Sequence, residues 1–198
     1  VADVTDQRGR AAQLGLFRTW ASIVADPPWP FDDPGIRGGV GHHYDVMSVD
    51  AIAAMPVWRY VGDSGHLYLW LPNAHLLEGV GARVCRAWGF EPKTVITWDK
   101  MLFGTGHYYR NQTEHCIFAV RGTSPIQVSN LPTIIRHRRR RHSEKPAEFY
   151  YMVEEASPGP YLELFARRQR GIGWSCWGNE LASPVLLPEL DRAALRAA

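Results

Sequence analysis

The stretch Ser22-Ile23-Val24-Ala25-Asp26-Pro27-Pro28-Trp29 decides how this chain is read. Its first four residues are small or apolar and of strand length, and they run directly into an acid, two prolines and an aromatic ring. Residues 30–47, rich in Gly, His and Asp, read as a loop. Ser48 is then placed to cap a helix carrying Ile52 and Met55, whose regularity Pro56 limits. Apolar or β-branched runs at 66–71, 93–98 and 115–120 are of strand length. Between the first two, Asn73 is placed to cap a helix on which Leu76, Leu77, Val80, Val84 and Trp88 recur at helical spacing. Residues 99–113 form a long loop that contains Tyr108 and Tyr109. Pro146 opens a helix bearing Phe149, Tyr150, Met152 and Val153, and two short strands follow at 161–165 and 173–177. A further short helix is expected near residues 11–17. Short apolar strands alternating with amphipathic helices predict an α/β fold with a mainly parallel sheet. Ligands of such folds sit at the carboxyl ends of the strands, where the polar and aromatic clusters after Ala25, Phe165 and Trp177 fall.

The tetrapeptide Asp26-Pro27-Pro28-Trp29 carries a specific chemistry. An exocyclic amine on an aromatic base is a poor nucleophile because its lone pair is delocalised into the ring. Accepting hydrogen bonds from both of its N–H groups draws the nitrogen toward tetrahedral geometry. Asp26 supplies one acceptor and the Pro27 carbonyl the other, while prolines fix the backbone and bring no competing donor. Trp29 is expected to offer a face on which an extruded base stacks. The plainer reading is a Pro-Pro turn after a strand with a buried tryptophan.

Composition narrows the class. The chain has 198 residues, 45% of them hydrophobic, which suits one domain with a proper core. A net charge of +2 does not by itself announce a nucleic-acid binder, so any basic surface is local. Cys85, Cys116 and Cys176 are far apart and form no CxxC pair, which argues against a disulfide framework. No apolar run is long enough for a membrane span and no signal-peptide pattern is present, so a cytoplasmic protein is expected. No His or Cys spacing suits a metal, and none is expected.

Beyond the first tetrapeptide, ordered motifs recur: VADPPW, the YxxMS of residues 44–48, LYLWLP, WGF, EHCIFAVRG, HSEKPAEFY, SPGPYLELFARR and WGNE. In this set and order the chain, from about Ile23 to Glu180, resembles the family of the catalytic subunit of the eukaryotic mRNA N6-adenosine methyltransferase, with its bacterial and phage DNA-modifying relatives. The resemblance implies a class I methyltransferase-like (Rossmann-like) fold in circularly permuted order, with the catalytic strand first and the cofactor-binding strand late. Residues 1–20 are then an N-terminal extension and 21–198 the methyltransferase domain. The implied cofactor is S-adenosyl-L-methionine, with Lys145, Glu163, Phe165, Arg167 and Asn179 lining its pocket, Lys145 and Arg167 toward its carboxylate or ribose. Tyr44, Glu114 and Ser143 fall where the family faces the target adenosine. The implied reaction is methyl transfer to adenine N6 in nucleic acid, DNA favoured over RNA, by a homodimer or with a second methyltransferase-like subunit. The chain departs from the family pattern at Glu144, where a small polar or basic residue is usual, and at Gln169-Arg170, which replace a His-Asn pair.

Two further segments suit nucleic acid. Residues 136–142, with Arg138, Arg139, Arg140 and Arg141 at their centre, precede Lys145 and are placed to hold phosphates, against the alternative of a solvated loop. Tyr108, Tyr109 and Arg110 suit stacking and phosphate contact, or packing over the sheet edge. Two competing readings are a non-catalytic nucleic-acid-binding subunit, against which the intact DPPW stands, and cytosine N4 methylation, which needs the same amine polarisation.

Overall fold

The computed structural model describes residues 19–30, 46–104, 108–138, 144–182 and 184–191. The helix expected near 11–17 lies outside the described residues, as do Tyr44, Arg139, Arg140, Arg141 and Ser143.

Seven strands form one sheet: β1 (Trp20–Ala25), β2 (Val61–Leu71), β3 (Glu91–Asp99), β4 (Thr113–Arg121), β5 (Ile134–Arg136), β6 (Tyr161–Leu164) and β7 (Trp174–Trp177), in the order β5-β3-β4-β2-β1-β6-β7. β1 runs parallel to β2 and β6, β6 parallel to β7, and β3 parallel to β5. β4 alone is antiparallel to both neighbours, so the sheet is mixed and mainly parallel, as expected. The central position of β1 explains its near-continuous apolar sequence, because a strand covered on both faces has no polar side.

Alternation along β1 feeds two cores. Ile23 and Ala25 face one of them, with Trp29, Ile52, Val84 and Trp88. Val24 faces the other, with Tyr68, Trp70, Phe149 and Val153. Helices α1 (Val49–Ala54), α2 (Asn73–Leu77) and α3 (Val80–Ala87) accompany the first face and α4 (Ala147–Ala156) the second. Ser48 caps α1 as expected, its side chain accepting from the Ala51 N–H at 3.1 Å. The Trp88 indole donates to the Ile52 carbonyl at 2.9 Å and locks α3 to α1.

Two expectations are corrected. The single helix expected after Asn73 is two, because Gly79 adopts φ 72° and turns the chain between α2 and α3. Leu77, assigned to the apolar face of one long helix, is 88% exposed. Asn73 opens α2 rather than capping it, and its amide donates to the Asn111 side chain at 3.0 Å. β5 was not foreseen: it pairs with β3 from Thr97↔Ile134 to Asp99↔Arg136, with Ile135 turned into the second core.

This topology gathers one edge. The ends of β1, β2, β3, β5, β6 and β7 lie on the same side of the sheet. The start of the reversed β4 joins them, with Trp98 opposite Glu114 and Leu71 opposite His115.

Candidate active site

Asp26 follows the last residue of β1 at that edge, and Glu114 is the second residue of β4. Lys145 enters from above, two residues before α4. Its ammonium lies 3.1 Å from Asp26 Oδ2 and donates to Glu114 Oε2 at 2.7 Å. The other Glu114 oxygen is 3.4 Å from the ammonium of Lys100, just past β3. The result is a line of alternating charge, Asp26–Lys145–Glu114–Lys100. The Lys145 ammonium also sits over the Trp70 ring, 4.8 Å from its centroid.

Each pKa follows from this arrangement. Burial raises that of Asp26, with Glu114 adding to the rise and Lys145 opposing it. For Lys145, burial alone would push the pKa down, but the Asp26 and Glu114 carboxylates outweigh it and hold the group above its ordinary value. Burial pushes Glu114 up, and Lys145 and Lys100 together bring it below its usual range. Glu114 is thus a firmly ionised anchor, whereas Asp26 is the more basic of the two carboxylates. Lys145 was expected to meet the cofactor's carboxylate or ribose; here its ammonium instead joins the two acids.

The proline pair bends the chain sharply. The Trp29 N–H donates to the Pro27 carbonyl at 2.9 Å, and the Met47 N–H to the Pro28 carbonyl at 2.9 Å. The turn drives the Trp29 ring into the core, where it is 3% exposed, tilted against His75 at 5.2 Å, with its indole donating to the Trp70 carbonyl at 2.8 Å. A stacking face for an extruded base was expected of Trp29. The ring is buried and instead pins the Asp26 loop to the end of β2.

On the neighbouring strand, Glu163 is buried at 6% exposure. It accepts from the Tyr150 hydroxyl at 2.8 Å and from Arg170 Nε and Nη2 at 2.5 and 2.9 Å. The Arg170 guanidinium lies 3.5 Å from the Tyr150 ring centroid. Phe165, half-buried, holds φ 61° and meets Trp177 edge-on at 5.5 Å. A non-glycine residue held in the left-handed region costs energy and tends to mark a functional loop. Past β6 and β7 the two chain tips nearly touch: a Cβ at Gly178 would lie 2.2 Å from the Ala166 carbonyl oxygen. Arg167, with Nε 3.6 Å from Glu180, and Asn179 emerge from these tips, both exposed. Glu144 is accounted for as well, since its Oε1 lies 2.5 Å from Arg168 Nη1 and ties the Lys145 segment to the loop after β6.

The structure therefore brings Asp26, Glu114 and Lys145 into one cluster, and Glu163, Phe165, Arg167 and Asn179 onto the adjacent strand ends. Arg138 is exposed beyond β5. Sequence reasoning missed Lys100, Trp70, Tyr150 and the partnership of Arg170 with Glu163. Trp70 was open to discovery, because alternation in β2 puts it on the Tyr68 face. Among the described residues no group of three or more His, Cys, Asp or Glu is placed to hold a metal, and the three cysteines are buried thiols. Among them, too, no helix is long and apolar enough to cross a membrane.

A central first strand bearing the acid, a late strand bearing Glu163 beside it and one reversed strand in a parallel sheet define a class I S-adenosylmethionine-dependent methyltransferase fold in permuted order. The MT-A70 family model matches residues 20–180, most of the chain, and the chain belongs to that family. A putative MT-A70-like N(6)-adenosine-methyltransferase of Medicago truncatula is 28% identical over 199 residues, 96% of this chain and 31% of that protein. The N(6)-adenosine-methyltransferase catalytic subunit METTL3 of Homo sapiens is 28% identical, covering 90% of this chain and 31% of its own. The type II methyltransferase M.MunI of a Mycoplasma species is 26% identical, over 80% of this chain and 76% of that protein. The chain thus spans about a third of the plant and human relatives.

Membership implies S-adenosylmethionine as cofactor, and the chemistry of the strand ends fits it. A carboxylate has about four lone-pair sites, and Arg170 and Tyr150 fill three on Glu163, which leaves one for a ribose hydroxyl. Phe165 adds an apolar face, and the acids Asp26 and Glu163 suit a cationic sulfonium.

Proposed function

We propose that this protein transfers a methyl group from S-adenosylmethionine to the N6 amino group of adenine in nucleic acid. The reading rests above all on Asp26, a carboxylate made more basic by burial, held by Lys145 at the end of the central strand. The type II methyltransferase among the relatives, and the likeness of the motifs to the bacterial and phage group, favour DNA over RNA.

Bound cofactor supplies an electrophilic methyl on a sulfonium whose thioether leaves readily. Glu163, Phe165, Arg167 and Asn179 would hold it. Lys145 engages Asp26 through Oδ2, so Oδ1 is the oxygen assigned to the N6–H of the target. The Pro27 carbonyl already accepts from Trp29, and its second lone pair is assigned to the other N6–H. Methylation leaves an extra proton on N6, and the raised pKa of Asp26 suits it to take that proton. Lys145 holds Asp26 ionised until then, and Glu114 with Lys100 holds Lys145 in place. No covalent enzyme intermediate is needed.

The test is incubation with methyl-labelled cofactor and either DNA or RNA, followed by digestion and nucleoside mass spectrometry. Labelled N6-methyladenine is expected, more in DNA. Label on cytosine N4, or on no base at all, overturns the reading.

A further inference from the structure

The loop from β3 to β4 is built as a rigid stem carrying exposed rings. Its base is closed by Lys100 N–H to the Gln112 carbonyl at 2.9 Å and Gly104 N–H to the Asn111 carbonyl at 2.7 Å. The Asp99 carboxylate accepts from the Met101 N–H at 2.9 Å and the Gln112 amide at 2.7 Å, and Arg110 donates to the Gly104 carbonyl at 2.6 Å. At the far end Tyr108 is 99% exposed, Tyr109 93% and Phe103 72%. Ordering a loop costs conformational entropy, and placing aromatic rings in water gains nothing in the isolated chain.

The neighbourhood is cationic. Strand β5 delivers Arg136 opposite Asp99, at the root of the same loop, and Arg138 follows it, exposed. The shallow hollow lined by Trp98, His137, Glu144, Lys145, Pro146 and Ala147 leads from there to the Lys145 ammonium. The aromatic loop and the start of the basic run, which look like alternatives along the sequence, belong to one surface. Lys100 and Arg110 stand on the loop and Arg136 and Arg138 beside it.

We infer that this surface binds an unpaired nucleic-acid strand, with bases on Tyr108 and Tyr109 and phosphates on Arg110, Arg136 and Arg138. Only an unpaired strand offers free base faces to such rings, since a duplex hides them in its own stack. A second copy of this chain docked isologously would bring the same cations against one another. The inference rests on the adenine reading for the direction of the strand, which runs past the hollow toward Asp26.

The experiment uses the full chain with fluorescein-labelled oligonucleotides of about 15 nucleotides: single-stranded DNA, single-stranded RNA and the DNA duplex of the same sequence. Affinity is read by anisotropy over a range of salt. The single strands are expected to bind about tenfold tighter than the duplex or better. The pair Tyr108→Ala and Tyr109→Ala should weaken single-strand binding by about tenfold or more with little change in salt slope, while the two Tyr→Phe replacements retain it. The pair Arg136→Gln and Arg138→Gln should instead flatten the slope, by about 0.7 for each phosphate no longer neutralised. The relative strength of the two single-strand arms tells DNA from RNA. Duplex binding as tight as single-strand binding, or indifference to the Tyr→Ala pair, overturns the inference. So does a Tyr→Ala pair that lowers the molar mass in light scattering and leaves oligonucleotide binding unchanged, since the surface then meets protein. Nucleoside analysis keeps the two readings apart. Methylated adenine in duplex DNA with unaltered Tyr→Ala variants defeats this inference alone, and strand binding without methylation defeats the proposed activity alone.

Discussion

Trp29 and Trp70 are joined by a 2.8 Å hydrogen bond from the indole N–H of the first to the carbonyl of the second, and the Trp70 ring in turn lies beneath the Lys145 ammonium. The loop carrying Asp26 and the lysine that grips it are thus referred to one residue near the end of β2.

Trp29→Phe removes that bond and leaves a buried carbonyl short of a partner. It should cost about 1–3 kcal/mol of stability, read by denaturant unfolding. Binding of a single-stranded oligonucleotide should hold, because the ring does not face solvent; weakened binding with full stability would restore a stacking role.

Asp26→Ala should remove nearly all turnover while cofactor affinity, followed by calorimetry, stays close to wild type. An interaction made mainly in the transition state is lost in the rate constant. Wild-type turnover in this variant would exclude Asp26 as the amine's acceptor.

Lys145→Met removes the one group that strongly opposes the rise in the Asp26 pKa. Burial and the Glu114 charge then act alone, so the acid limb of the kcat/KM profile should move to higher pH. Turnover near neutrality should fall by about a hundredfold or more. An acid limb that stays put would mean that Lys145 does not set the Asp26 charge.

Glu163→Gln and Asn179→Ala should each weaken cofactor binding by about 1–3 kcal/mol. The conservative glutamine is needed at the first position, because alanine would strand Arg170, whose side chain is 15% exposed, without its carboxylate. Unchanged affinity in both folded variants would put the cofactor elsewhere.

His66 predicts a stability effect at the opposite end of the sheet. Its Nε2 lies 2.8 Å from the Ser124 carbonyl, which only accepts, so Nε2 carries the proton. Nδ1 then accepts from Ser157 at 2.7 Å, and Ser157 accepts from Tyr68 at 2.7 Å. This chain of donors requires a neutral ring, and burial holds the His66 pKa below its ordinary value. The unfolded chain therefore binds the proton more readily. The contribution is complete above about pH 6.5, the unfolded value, and is lost as pH falls through the lower folded value. Urea unfolding against pH should show this loss in the native chain and a flatter profile in His66→Asn; parallel profiles would refute the assignment.

The sequence made the sheet legible because period and punctuation agree there: β1, β2, β6 and β7 are apolar runs that end at the residues of interest. What it hid depends on long-range pairing. β5 has too few residues to show alternation, and only its register with β3 reveals that Arg136 stands beside Asp99. Helical spacing from Leu76 to Trp88 looked continuous because periodicity does not register a single left-handed glycine at position 79. For Lys145 the segment was recognisable but not its partner. Choosing between cofactor and acid required the reversed direction of β4, which carries Glu114 to the same edge. Trp29 was misjudged for a similar reason, as a Pro-Pro turn says that the chain bends but not which way the next ring goes.

The near contact of Gly178 with Ala166 makes the missing side chain a spacer of zero length. Alanine there would have to pry apart the tips of β6 and β7, and with them the mouth of the cofactor pocket, while leaving Asp26, Glu114 and Lys145 on strands it does not touch. A single methyl group at this position would therefore separate tolerance for the cofactor from the chemistry done with it.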